Sequence, residues 1–287
     1  MSQDKLQQAL ELVTQLTNHV DTAGQPRLAT LRALLEQARQ AGEGAEAQAV
    51  RAQLDEVITE NVSFTSVMVH EIRKPMTAMR GWVDMLSKNH LGPLNDMQSQ
   101  AAQTIRNNVL SMEQLVSDIS DLAKMRSGRM QPSLKMEMFK NIAMALEKDL
   151  PEEASARSVS LTFEVPSGLP LLNTDSARVE QALRKLIQNA IRYTPEETGQ
   201  VTVQAEGLGD RLKVTVKDNG VGISEADQQR LGELFFRGDN ELVTQTKGYG
   251  MGVPIAQHCM QLVGGELGWQ STEGVGSQFW IILPALS

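Results

Sequence analysis

The chain has 287 residues, 41% of them hydrophobic and 22% charged. That length suits about two domains with substantial cores, and that composition excludes wholesale disorder. A net charge of −8 leaves no overall electrostatic footprint for nucleic acid or anionic lipid, so no nucleic-acid partner is expected. The one cysteine, Cys259, cannot form an internal disulfide, which fits a reducing cytosol. Its neighbour His258 has no further Cys or His at metal-ligand spacing, which argues against zinc. The opening MSQDKLQQAL lacks a signal-peptide pattern, and no apolar run reaches the length of a membrane span. A cytoplasmic protein is expected.

In chain order, the first half reads as helix. Leu6, Leu10, Val13, Leu16 and Val20 recur at helical steps, as do Leu28, Leu31, Leu35 and Ala38 after a break at Thr22, Gly24 and Pro26. Residues 1–44 are thus expected to be an N-terminal helical region of unknown role, with extra bundle packing as the plainest one. Beyond Gly42-Glu43-Gly44 a helical pattern runs from Ala45 to about Lys88. Val57, Phe64, Met68, Ile72, Pro75, Met79, Trp82 and Leu86 line it as a near-heptad apolar stripe. His90-Leu91-Gly92-Pro93-Leu94 is a stop signal, and Asn95 with Gln98 has the spacing of a capping box. The helix that follows carries Ile105, Val109, Met112, Val116 and Ile119. Residues 45–130 therefore read as a helical hairpin. Its wide apolar stripes would be well buried in a dimeric four-helix bundle.

After Ser127-Gly128 and Pro132 the pattern changes. Residues 159–165, 201–204, 212–216 and 277–283 alternate as strands, with helical patterns at 176–192 and 254–263. Residues 131–287 are expected to form a mixed α/β sandwich. The fold class is α plus α+β.

Chemistry-bearing residues lie in both halves. Ser63, Ser66, His70, Arg73, Lys74 and Thr77 follow one polar stripe of the first long helix, away from Met68 and Ile72. A lone helical histidine is usually an inert surface residue. Here Glu71 adjoins the imidazole, and Pro75 removes the N–H that would bond the carbonyl of Glu71, so a kink is expected beside a nucleophile site. In the second half, Asp218-Asn219-Gly220-Val221-Gly222 follows a strand. Gly248-Tyr249-Gly250-Met251-Gly252 opens onto a helix, and Gly274-Val275-Gly276 precedes the last strand. Glycines that open onto a helix N-terminus suit phosphate. The middle segment is neither a P-loop nor a dinucleotide fingerprint.

HEIRKP at 70–75 resembles the phospho-acceptor box of two-component sensor histidine kinases. That family's further boxes follow in order: Gln188 to Pro195 resembles the asparagine box and Asp218 to Gly222 the first glycine box. Leu234 to Arg237 resembles the phenylalanine box, and Gly248 to Gly252 the second glycine box. The resemblance spans roughly residues 55–287. It implies a homodimeric kinase whose hairpin carries His70 and whose C-terminal Bergerat-type domain binds ATP and Mg²⁺. His70 would accept the γ-phosphoryl group with Glu71 as base, and a response regulator would receive it from His70. Asn189 would hold Mg²⁺, Asp218 would accept the adenine amino group and Tyr193 would pack on the base. Arg192, Gly220, Gly222, Phe236, Lys247, Gly248, Gly250 and Gly252 would complete the nucleotide site, with residues 237–247 as its lid.

Two positions depart from the family pattern. Lys74 stands four residues after the histidine, where Thr or Asn is usual, and Lys185 replaces the first asparagine of the asparagine box. These departures keep a rival in view, a catalytically weak kinase-like scaffold that binds nucleotide and partners. A gyrase- or chaperone-type ATPase is disfavoured by the His70 box.

Overall fold

The structure is a computed structural model that describes residues 29, 32, 33, 36, 45–126, 128, 130–246 and 248–286, with backbone alone at 45–64, 66 and 126. The stripes expected over residues 6–38, and the side chains of Val57, Ser63, Phe64 and Ser66, lie outside what it describes. The chain divides into two compact units between Ser127 and Gly128.

Unit one is a hairpin of α1 (Ala45–Ser87) and α2 (Asp96–Arg126). The turn between them ends on the capping box read from the sequence. Asn95 Oδ1 accepts from Gln98 N at 2.8 Å, and Gln98 Oε1 accepts from Asn95 N at 3.0 Å. Both donors would otherwise be orphaned at the helix start. α1 continues through Pro75.

The seam that closes the hairpin differs from the one expected. Val69, Met76 and Val83 are buried on α1, and Ala102, Val109 and Val116 on α2, each set stepping by seven. Met68, Ile72, Met79 and Trp82, read as the seam, are exposed, and so are Ile105, Met112 and Ile119. The apolar residues of each helix are spread over more than one face, and periodicity alone does not say which stripe meets the partner helix. Arg80 to Glu113 (3.2 Å) and Arg106 to Asp84 (2.9 Å) bridge the two helices.

Unit two contains β1 (Lys135–Met138), α3 (Phe139–Ser155), β2 (Ser160–Glu164), β3 (Leu171–Thr174) and α4 (Ser176–Tyr193). Next come β4 (Gln200–Gly207), β5 (Arg211–Asp218), α5 (Glu225–Gln228), α6 (Glu241–Gln245), α7 (Gly252–Leu262), β6 (Glu266–Thr272) and β7 (Gly276–Pro284). Five strands form one sheet in the order β2-β4-β5-β7-β6, parallel only between β2 and β4, while β1 and β3 make a separate antiparallel ribbon. Inward positions alternate along the strands: Val201, Val203 and Ala205 on β4, Leu212, Val214 and Val216 on β5, and Phe279, Ile281 and Leu283 on β7 are all buried. Leu183, Leu186, Ile187 and Ile191 of α4 and Phe139, Leu146 and Leu150 of α3 supply the helical side of this core.

α4 starts at a built cap. Asp175 Oδ1 accepts from Ala177 N (3.1 Å) and Arg178 N (3.3 Å), while Oδ2 accepts from Ser133 N (2.9 Å). One nearly buried carboxylate therefore starts the helix and ties down the chain that leads into β1. Asp175→Ala should destabilise unit two by about 1–2 kcal/mol, the loss of an N-cap. Thermal melting of the full chain should show its transition about 2–8 °C lower; an unmoved transition would mean that the cap is dispensable.

Candidate functional site

The acceptor site is built on α1. His70 is exposed, as its place on the polar stripe requires. About two turns along, Thr77 Oγ1 donates to the carbonyl of Arg73 at 2.9 Å, two residues after the Glu71 carbonyl to which Pro75 has no N–H to give. Lys74 Nζ lies 2.6 Å from Glu71 Oε1, and both side chains are more than half exposed. The sequence singles out both residues; only the structure pairs them.

The second site lies in unit two, at the ends of β5 and α4. Along β5 the inward positions Leu212, Val214 and Val216 are followed by Asp218, on one rung with Val201 and Ser277. Its carboxylate thus continues a buried apolar row. Oδ1 accepts from Gly220 N (2.9 Å) and Ser277 N (3.1 Å). Burial pushes the Asp218 carboxyl up to about 6, and the two backbone donors only partly offset this. Ser277 was not singled out from the sequence, although Gly274-Val275-Gly276 pointed to its turn.

Glycines let three backbone segments close around this carboxylate. A Cβ on Gly220 would sit 2.5 Å from the carbonyl oxygen of Tyr193, which accepts from Val221 N at 3.1 Å. Gly276 has φ +139, and a Cβ there would strike the carbonyl of Asp218. Gly222, at φ +66, rests on the backbone of Thr272 and Glu273.

The second glycine box meets the C-terminal half of α4. A Cβ on Gly248 would lie 3.3 Å from the Tyr193 hydroxyl and 3.5 Å from Arg192 Nη1. A Cβ on Gly252, the first residue of α7, would lie 3.1 Å from Nδ2 and 3.5 Å from Oδ1 of Asn189. Gly250 (φ +64) packs on the backbone of Phe235 and Phe236, and its carbonyl accepts from Phe235 N at 3.0 Å. Phe235 itself has φ +65, an unfavourable conformation for an aromatic residue, held by this close packing. The Phe236 ring lies beneath the Arg230 guanidinium, 4.1 Å from its centroid. Arg237 gives Nη2 to the carbonyls of Val243 and Thr246 and so closes the short helix α6 within residues 237–246. Lys247 lies outside the described residues.

A helix N-terminus with close-approach glycines is a place for phosphate, and a half-buried carboxylate is a place for an N–H donor. The Asn189 amide between them fits Mg²⁺ held through one hard oxygen, with phosphates and waters completing the shell. Among the described residues no cluster of His, Cys, Asp or Glu could hold a metal by itself, so such an ion would depend on a bound phosphate. Arg157 was also missed: its Nη1 donates to the carbonyl of Arg192 at 2.7 Å and steadies the end of α4.

Comparison with known proteins mirrors this division. Residues 60–128 match the His Kinase A (phospho-acceptor) domain, and residues 174–287 match the histidine kinase-, DNA gyrase B- and HSP90-like ATPase. An uncharacterised sensor-like histidine kinase of Rhizobium meliloti is 30% identical over 89% of this chain and 49% of its own length. The histidine protein kinase DivJ of Caulobacter vibrioides is 30% identical over 78% of this chain and 37% of its own. The chain belongs to the sensor histidine kinases. It spans about half the length of the first of these relatives and less of the other. Full-length ShkA in complex with AMPPNP shares the fold, with a TM-score of 0.63 at 23% identity over 78% of this chain and 46% of that one. The Acinetobacter baumannii histidine kinase AdeS does so at a TM-score of 0.52 and 19% identity, over 76% of this chain and 98% of that one.

The Asp218 carboxylate carries a stability cost that this histidine kinase domain can be made to reveal. Because its folded pKa is raised above 3.8, towards about 6, protonation stabilises the fold. That stabilisation is complete below the unfolded pKa and is lost as pH rises through about 6. Asp218→Asn should therefore melt higher than the unmodified protein at pH 8 without nucleotide, and the difference should shrink towards pH 4. A gap that does not depend on pH would contradict the buried-carboxylate account.

Proposed function

We propose that the protein is a cytoplasmic, homodimeric, ATP- and Mg²⁺-dependent kinase that phosphorylates its own His70 and passes the group to an aspartate of a response regulator. The observation that carries the reading is the framed carboxylate. Asp218, framed by the backbone of Gly220, Gly276 and Ser277, is a ready acceptor for an adenine amino group, and the glycine-lined start of α7 against Asn189 is a place for phosphate, on the same chain as an exposed His70 with Glu71 beside it. Family membership and the AMPPNP named with the similarly folded ShkA support a nucleotide there. The dimer is supported by Met68, Ile72, Met79 and Trp82 on α1 and Ile105, Met112 and Ile119 on α2, all left exposed by a single hairpin. No described helix is long and apolar enough to cross a membrane.

In this scheme an imidazole nitrogen of His70 attacks the γ-phosphorus. An N–P bond forms, the bond to the β-phosphate oxygen breaks, and ADP leaves. Glu71 takes the proton from the other ring nitrogen, since a neutral nucleophile would otherwise become cationic. Asp218 accepts the adenine amino group through its ionised carboxylate, and Tyr193 and Arg192 flank the glycine segment. Gly220, Gly222, Phe236, Gly248, Gly250 and Gly252 shape the pocket, with Lys247 in the segment leading into the second glycine box. Mg²⁺ bound through Asn189 would neutralise phosphate charge. Positioning and electrostatics do most of the remaining work.

His70→Gln should abolish acid-labile labelling from γ-labelled ATP while leaving ATP affinity unchanged, because the acceptor and the nucleotide site lie on different units. Label persisting at His90 or His258 would overturn the assignment. Adenine nucleotide affinity should also fall as pH drops below about 6 and Asp218 is protonated; calorimetry between pH 5 and 8 reads this directly.

Lys74 bears on the fate of the phosphoryl group once the regulator has received it. An ammonium offers three donors and no acceptor, so it cannot orient an attacking water as Thr or Asn can. Its ion pair with Glu71 is exposed and therefore weak, free to exchange for a phosphoryl oxygen. The protein should be a poor phosphatase of its phosphorylated regulator in the presence of ADP, and Lys74→Thr should hydrolyse it faster. Rapid hydrolysis by the unmodified protein would refute this role for Lys74.

A further inference from the structure

The inward face of the sheet changes character at one rung. Across β5, β7 and β6 its rows run Val214, Ile281 and Leu267, then Val216, Phe279 and Trp269, then Asp218, Ser277 and Ser271. The first two rows are apolar and the third is polar. Hydroxyls set where a strand pattern calls for apolar residues need partners. The Ser271 hydroxyl has three. Its Oγ accepts from Ile223 N at 2.9 Å, donates to the Gly276 carbonyl at 2.9 Å and lies 2.9 Å from Ser277 Oγ. With its one proton on the Gly276 carbonyl, Ser271 receives the Ser277 proton, and its one donor and two acceptor positions are all used. Two of these contacts bear on Asp218. The Gly276 carbonyl and the Ser277 N–H are the two ends of one planar peptide, and that N–H donates to Asp218 Oδ1 at 3.1 Å. Ile223 lies at the far end of the loop that supplies the other donor, Gly220 N. One side chain thus grips both pieces of backbone that serve the carboxylate.

We infer that Ser271 is a positioning residue of the nucleotide site, whose hydroxyl holds the Gly276–Ser277 peptide with its N–H turned to Asp218 and so aims the second carboxylate oxygen at the adenine amino group. This role rests on the adenine reading of Asp218. The peptide needs such a hold. Gly276 has φ +139 and no side chain to resist rotation of the peptide that follows it. Turned over, that peptide would present its carbonyl to the carboxylate, oxygen against oxygen. A hydrogen bond to the carbonyl also polarises the N–H and strengthens its bond to Asp218. The loop itself has other anchors. Gly274 N donates to the Val221 carbonyl at 2.7 Å, and Gln228 Nε2 donates to the carbonyls of Ile223 (2.9 Å) and Ser271 (3.1 Å). Loss of the hydroxyl should therefore disturb the aim of the carboxylate more than the fold of the pocket. A purely structural serine predicts otherwise: its removal would weaken every nucleotide alike.

The test is calorimetric titration of the full chain in Mg²⁺ at pH 8, where Asp218 is ionised. The ligands are ADP and purine riboside diphosphate, the same nucleotide without the amino group. The unmodified protein should prefer ADP by about tenfold or more, the order of a hydrogen bond to a charged acceptor. Ser271→Ala should weaken ADP about threefold to tenfold, the order of one neutral hydrogen bond, and leave the deamino nucleotide nearly unchanged. Ser271→Thr, which keeps the hydroxyl, should retain the preference. An undiminished preference in Ser271→Ala, whether both affinities fall or neither does, overturns the inference. So does a preference lost equally in Ser271→Thr, since the hydroxyl is then not what matters. Should Ser271→Ala bind neither nucleotide, Ser271→Cys decides: its long, weak S–H should give a reduced preference. An undiminished preference there, or loss of both nucleotides again, overturns the inference. An unmodified protein that binds neither nucleotide, or both equally, overturns the adenine reading of Asp218 itself and takes the serine's role with it.

Discussion

A carboxylate stands where the strand pattern calls for another valine, and the ATPase unit is arranged around that constraint. Leu212, Val214 and Val216 face the helices, and Asp218 takes the next inward place on β5. An ionised group there needs donors, and the chain supplies two from its own backbone, Gly220 N and Ser277 N. Both go to the same oxygen, so the other oxygen can serve a ligand. Bringing those donors in requires the loop after β5 and the start of β7 to approach within van der Waals limits. Gly220 and Gly276 are glycine for that reason: a side chain at either would collide with backbone. Those two glycines are therefore consequences of where one carboxylate must be, while the second glycine box is fitted to α4 and to the backbone of Phe235 and Phe236.

Much of this was legible in the sequence because the signals were local. The capping box at Asn95 and Gln98 depends on two residues three apart, and both hydrogen bonds form. The α4 and β5 patterns are regular, and Asp218 ends a clean alternation. Six other elements were not read, the one-turn helices α5 and α6 among them. β1 and β3 are only four residues long, and α3 contains Pro151. β6 runs unbroken through Gly268, where the Trp280 indole crosses the strand so closely that a Cβ would lie 2.5 Å from it. That glycine looks like a broken strand until its neighbour on β7 is known. Ser277 and Arg157 were missed for a related reason. One contributes only a backbone N–H and the other reaches a carbonyl 35 residues away.

The hairpin shows where periodicity stops being informative. Both helices carry more apolar residues than one seam can absorb. Val69, Met76 and Val83 are buried within the hairpin with Ala102, Val109 and Val116. Ile72, Ile105 and Ile119 are left outside with Met68, Met79, Trp82 and Met112, so side-chain type does not sort the two faces either. A heptad reading finds the stripe width correctly but cannot assign each half of it, because one residue of rotation around a helix, about 100°, exchanges the two faces. Cross-helix ion pairs such as Arg106 with Asp84 add to the register without selecting the apolar face.

The two lysines that depart from the family pattern are the same substitution in chemical terms, an ammonium in place of a neutral hydroxyl or amide, yet they act under different physics. Lys74 is exposed, its side chain 59% accessible. Water and salt screen its charge over about 8–10 Å, so its long-range field is weak. What it changes is geometry: it supplies donors where an acceptor is needed, and it competes for Glu71. Lys185 is buried, and there the same charge acts through a less polarisable medium and is felt more strongly at the same distance. The surroundings of the two side chains therefore set the lysines apart, one screened by water and paired with Glu71, the other held among buried groups, a separation that the substitutions alone do not make.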